Sequence, residues 1–228
     1  HSAPKLGNNM ILTIDIETLP ARDQRTIDRI GQRIKHPGNI KKAESLAKWE
    51  AEEKPAAIEE AVARSGLNGL YGSVLCIGYK FDDQPTQVVL CDSERDTLGQ
   101  FAEAMNCLDS FRIHPLTVVG HNHINFDLRF LFQRFCINGV KPPHILPFHA
   151  KPWDKGVFDT MTMWAGAGNF VSLDDLCFAF GIESSKGDLD GSKVAQYYAE
   201  GRIQEIKDYC AGDVDKTYEV YKRMTFGA

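Results

Sequence analysis

MILTIDIETL, residues Met10–Leu19, is the stretch on which the fold turns. Its aliphatic and β-branched side chains read as a buried strand. The run ends in two carboxylates one residue apart, Asp15 and Glu17. Side chains at i and i+2 of a strand share a face, so the two acids point the same way from an element that otherwise excludes water. Burying two like charges side by side is costly unless a positive group lies between them. A divalent cation is the natural partner, and Mg²⁺ takes carboxylate oxygens.

The chain has 228 residues, 43% hydrophobic and 25% charged, which suits one generous soluble domain with a sizeable core. A net charge of −5 argues against a protein that merely coats nucleic acid. It argues less against an enzyme whose own acidic site lowers the total. The six cysteines form no C-x-x-C pair and several lie in apolar runs, so they read as reduced core thiols of a cytoplasmic protein. No stretch approaches a membrane span, so no membrane partner is expected. Residues 1–9 read as a tail or remnant, and 10–228 as a single domain.

Outward from the first strand, residues 22–64 form a charged helical insertion, with Ile27, Ile30 and Ile34 at helical spacing and a break at His36-Pro37-Gly38-Asn39. Its first half is basic (Arg22, Arg25, Arg29, Arg33, Lys35, Lys41, Lys42), a run that suits either a phosphate backbone or a solvated helix face. Residues 72–81 and 86–91 read as strands joined by a short turn, hence a hairpin. Residues 94–108 read as an amphipathic helix with Leu98, Phe101, Met105 and Leu108 inward. Residues 116–120 suit a short buried strand, 125–137 a helix, 138–154 a proline-bearing loop, and 157–164 a short strand or helix start. Ser172 and Asp175 form an approximate capping box for a helix that Gly181 ends. A polar loop over 186–192 follows, and a helix over about 201–224 closes the chain. The order predicts an α/β fold with a mixed central sheet flanked by helices.

Two further acids lie where a structural role is awkward. Asp127 falls on the apolar face marked by Ile124, Leu128, Leu131 and Phe135. Asp213 falls in the stripe Ile203, Ile206, Cys210, Thr217, Val220, with Tyr209 one turn before it. No Lys or Arg is expected on these faces, so both aspartates need another partner. Four carboxylates meeting at one place would hold two metal ions roughly 3.5–4 Å apart, the arrangement that cleaves phosphodiesters in line.

DIET at Asp15–Thr18, HNHINFD ending in Asp127 and YCAGD from Tyr209 to Asp213 resemble, in order, the three motifs of the DEDD superfamily of 3′–5′ exonucleases. Tyr209-x₃-Asp213 fits the tyrosine branch (DEDDy). The histidine branch would need His where this chain has Asp208. Within the superfamily the chain is most similar to the proofreading exonuclease domain of family B DNA polymerases and its stand-alone relatives, and SLDDLCFAF from Ser172 also resembles that group. The resemblance covers about residues 10–224; the helical insertion at 22–64 departs from it.

The resemblance implies a ribonuclease H-like fold and two Mg²⁺ or Mn²⁺ ions. It implies hydrolysis of single-stranded DNA from its 3′ end to nucleoside 5′-monophosphates, with RNA trimming as the alternative. Asp15 would bridge both ions, Glu17 and Asp213 would complete one site, and Asp127 would support the other. Tyr209 would orient the attacking water. Thr18, Leu19, Asn122 and Phe126 would meet the terminal nucleotides.

Rival readings fare worse. His121-Asn122-His123 spells HNH, but that nuclease motif is spread over a larger unit. No His/Cys spacing matches a zinc site. Aspartyl-phosphate chemistry needs D-x-D, and the second acid here is Glu17. A non-catalytic binding module has no use for four convergent acids that repel phosphate.

Overall fold

The computed structural model describes residues 9–107, 115–183 and 188–227. The tail at 1–8, Leu108 of the expected inward face and part of the 186–192 loop lie outside the described residues. The chain divides into two compact units, residues 1–17 with 74–228, and residues 18–73.

The larger unit is built on a five-stranded sheet in the order β3-β2-β1-β4-β5. β1 is Met10–Leu19, β2 Ser73–Phe81, β3 Gln87–Val89, β4 Leu116–Gly120 and β5 Val157–Asp159. β1 pairs in parallel with β4, Met10 opposite Leu116, and β4 in parallel with β5. β2 and β3 form the expected antiparallel hairpin. Just past β2, Asp82 donates its N–H to Ile11 O at 2.9 Å, so β2 runs back along β1. This mixed sheet flanked by helices is the ribonuclease H-like arrangement expected.

Strand alternation sorts the layers. Leu12, Ile14 and Ile16 of β1 enter the main core with Leu98, Phe101 and Met105 of α4 (Glu94–Cys107) and Leu128, Leu131 and Phe135 of α5 (Asp127–Asn138). Ile11 instead packs with Val119 against Tyr218 and Tyr221 of α9 (Ile203–Met224). Odd-numbered β1 residues, Asp15 and Glu17 included, therefore face α9. Gly78 of β2 permits the close approach of that helix: a Cβ there would lie 2.8 Å from Cys210 Sγ and 2.9 Å from a Val214 methyl. On the other layer, Glu94 accepts from Val74 N at 2.7 Å, from the Arg134 guanidinium at 2.7 and 2.8 Å, and from Asn138 at 2.9 Å. One half-buried carboxylate thus ties β2, α4 and α5 together.

Asp159 ends β5 and caps α6 (Thr160–Ala165), so the 157–164 stretch holds both a strand and a helix start. Ser172 caps α7 (Leu173–Phe180) by accepting from Asp175 N at 3.0 Å, and Gly181 closes it in the left-handed conformation. Between the 186–192 loop and the last helix, a stretch the sequence left unassigned, lies a short helix, α8 (Val194–Ala199). The cysteines are only partly core thiols. Cys76, Cys177 and Cys210 are buried, whereas Cys107 and Cys136 are exposed and Cys91 lies between.

The smaller unit contains the helical insertion. α1 (Gln24–Gly31) is capped by Asp23, which accepts from Thr26 N at 2.9 Å. α2 (Ala43–Lys48) runs through a π-helical turn into α3 (Lys54–Arg64), and Trp49 and Ile30 are its buried apolar anchors. The seven basic residues of its first half are exposed.

Candidate active site

The site lies at the C-terminal ends of the parallel strands. β1 supplies Asp15, which is partly exposed, and Glu17, which is buried. Burial, followed by repulsion from Asp127, Glu17 and Asp213, holds the Asp15 carboxyl well above its ordinary range. Glu17 is raised for similar reasons, burial first, with Cys76, Asp213 and Asp127 adding to it.

Asp127 arrives from the other layer. It is the first residue of α5 and not a member of a longer helical stripe, because the chain turns before it. Asn122 adopts φ 60°, a left-handed conformation that asparagine tolerates, and its carbonyl accepts from Asn125 N and Phe126 N. Ile124 is therefore outside the helix, although buried. Asp127 Oδ1 accepts from Ile16 N at 3.1 Å, which joins the helix start to the middle of the acidic pair. Burial pushes Asp127 up to about 7, against the pull of His123 and of its hydrogen bonds.

Asp213 is half-buried, and Val214 takes the fully interior slot beside it. Contrary to the sequence expectation, a cation does share its face: Lys216 Nζ lies 2.5 Å from Asp213 Oδ1. The spacing is i,i+3, which brings side chains together on a helix. The Tyr209 hydroxyl lies beside Asp213, and its phenol is pushed far up by burial and then by Asp213, Glu17 and Asp15. Tyr209, Asp213 and Lys216 open on a cleft of about 760 Å³ that Ser172, Asp174 and Arg202 also line.

The structure thus brings Asp15, Glu17, Asp127, Tyr209 and Asp213 together. Asn122 and Phe126 lie on the turn leading into Asp127, and Phe126 is partly buried with its ring 5.5 Å from Phe130. Thr18 and Leu19 belong to the smaller unit. There the Thr18 hydroxyl donates to Gly66 O at 2.7 Å, and Leu19 is buried.

Three contributors were missed in the sequence. Asp159 is buried and organises the turn before Asp127: its carboxylate accepts from Asn122 N at 3.0 Å and Ile124 N at 3.1 Å as well as capping α6. Its position before Thr-Met-Thr is a capping signal. His123 is fully buried with its Nδ1 3.4 Å from Asp159 Oδ2, and it fits only because residue 120 is glycine, where a Cβ would lie 2.4 Å from the His123 Cβ. Cys210 is the third. Its Sγ is 3.8 Å from Asp15 Oδ2, and one donor atom from each of Asp15, Glu17 and Cys210 lies within 4.8 Å of the others.

The donor set suits divalent cations: Asp15, Glu17 and Asp127 are raised first by burial, Asp213 adds a fourth carboxylate, and Lys216 pairs with it. A sheet in this strand order flanked by helices makes this a protein of ribonuclease H-like fold. Residues 75–227, about two thirds of the chain, match the family described as predicted 3′–5′ exonucleases related to the exonuclease domain of PolB, and the chain belongs to that family. No curated protein matches it. Among solved structures it resembles the family B DNA polymerase from the hyperthermophilic archaeon Pyrobaculum calidifontis, with a TM-score of 0.60 and 16% identity. That match covers 99% of this chain and 25% of the polymerase. At this identity the likeness speaks to fold.

Proposed function

We propose that the protein is a divalent-metal-dependent 3′–5′ exonuclease that removes nucleoside 5′-monophosphates from the 3′ end of single-stranded DNA. The observation that carries this reading is the meeting of Asp15, Glu17, Asp127 and Asp213 beside Tyr209. In this reading Asp15, Glu17, Asp127 and Asp213 would hold two Mg²⁺ or Mn²⁺ ions, with Asp15 shared between them, Glu17 and Asp213 completing one site and Asp127 supporting the other. Bound there, such ions supply Lewis acidity to a water and to the leaving oxygen of a phosphodiester.

The chain's own groups do the rest. Tyr209 stays protonated at neutral pH because burial and the neighbouring acids oppose the phenolate. It is therefore a hydrogen-bond donor and orienting group, not a base. The Ile16 N–H fixes one Asp127 oxygen, and Asp159 fixes the turn before it. Lys216 pairs with Asp213, in competition with a cation there, and presents a positive charge to the cleft. Asn122 and Phe126 line the approach of the 3′-terminal strand. The Thr18 hydroxyl is engaged and Leu19 is buried, so contact there falls to the main chain.

The test is digestion of 5′-labelled single-stranded DNA with Mn²⁺, with an RNA oligomer in parallel. A descending ladder on DNA that Asp15→Ala abolishes is expected. A ladder on RNA alone would move the substrate to RNA, and no ladder on either would refute the enzyme reading.

A further inference from the structure

Cys210 brings sulfur into an oxygen site. The thiol is fully buried and Gly78 leaves room for it against the sheet. Its Sγ lies 3.8 Å from Asp15 Oδ2 and 4.0 Å from Asp15 O, and the three-donor group with Glu17 fits within 4.8 Å. Donors of a tetrahedral ion with sulfur about 2.3 Å and oxygen about 2.0 Å away lie about 3.5 Å apart. Closing this triad on an ion therefore needs only small side-chain movements.

Mg²⁺ is hard and takes oxygen donors, so it has no use for the sulfur. Thiolate donors favour Zn²⁺ and other thiophilic ions. We propose that Asp15, Glu17 and Cys210 form a mixed oxygen–sulfur site for a thiophilic divalent cation of the Zn²⁺, Cd²⁺ or Co²⁺ class, exclusive with Mg²⁺ at the same carboxylates. Cys210 loses its proton to solvent as the sulfur–metal bond forms, and no electron transfer is involved. The proposal rests on the reading of Asp15 and Glu17 as metal ligands. It adds that a thiophilic ion displaces the catalytic one and inhibits the enzyme.

The test is Co²⁺ titration of the metal-free full chain, read in the near-ultraviolet sulfur-to-metal charge-transfer band, with Cd²⁺ affinity measured by competition. Expected is a band that saturates at one equivalent, is lost in Cys210→Ser and Glu17→Gln, and persists in Cys76→Ser. Cd²⁺ affinity should fall by about tenfold or more in Cys210→Ser. A wild-type protein without the band overturns the proposal, as does a band that survives in both Cys210→Ser and Cys210→Ala. Digestion of DNA with Mg²⁺ reads the exonuclease proposal separately, so nuclease without a band and a band without nuclease refute different claims.

Discussion

Replacing Asp127 by Asn keeps an oxygen to accept the Ile16 N–H but removes a buried negative charge. The Asp127 carboxyl is raised from 3.8 to about 7 in the folded chain. The native state then binds more protons than the unfolded state between these values, so this residue destabilises the fold progressively as pH rises through that window. Below pH 3.8 both states are protonated and the effect vanishes. A rise of this size corresponds to about 2 kcal/mol at pH 5 and about 4 kcal/mol at pH 8. Asparagine carries no such dependence. In chelator, Asp127→Asn should therefore be more stable than the wild type, with an advantage that grows between pH 5 and pH 8. At roughly 2–4 °C per kcal/mol for a chain of this size, the Tm advantage should widen by roughly 4–8 °C. Thermal unfolding followed by circular dichroism over that pH range measures it. Saturating Mn²⁺ should narrow the gap, because it stabilises the wild type more than the variant. An advantage that is flat with pH, or a variant less stable at pH 8, would refute the reasoning.

Other perturbations test neighbouring parts of the account. Lys216→Met frees Asp213 from its ammonium, so the Mn²⁺ concentration for half-maximal activity should fall several-fold; a rise would show that the ion pair organises the site instead. Glu94→Ala removes the carboxylate that accepts from Val74 N, the buried Arg134 guanidinium and Asn138, and should cost about 3–5 kcal/mol in urea unfolding. Gly78→Ala places a methyl 2.8 Å from Cys210 Sγ and should cut activity by displacing α9, with a smaller loss in a Gly78→Ala, Cys210→Ala double variant that relieves the contact. Charge reversal at the exposed Arg25 and Arg29 should raise KM and flatten its dependence on salt if the basic run grips DNA. Unchanged kinetics would assign that run to solvation.

Much of this was legible because strand and helix periods are strong signals. Alternation along β1 put Asp15 and Glu17 on one face, and that face proved to be the one α9 covers. Capping chemistry gave α7 both its ends. The start of α5 was misjudged because apolar spacing cannot reveal a left-handed residue. Asn122 turns the chain and places Asp127 at a helix start, where a main-chain N–H reaches it. Lys216 stands at i+3 from Asp213, but the apolar stripe marks only the core side of the helix and not the side on which this pair forms. Cys210 looked like a core residue and is one, but the core at that point borders the acids. Asp159 could be read as a cap, whereas its hold on the Asn122 turn depends on β4 and β5 lying side by side.

The central claim meets its most direct test in the products of digestion. Single-stranded DNA incubated with the protein and Mn²⁺ should yield nucleoside 5′-monophosphates, released first from a 3′ label, and Asp15→Ala should yield none. Internal oligonucleotide fragments, release that begins at the 5′ end, or full activity in Asp15→Ala would contradict it.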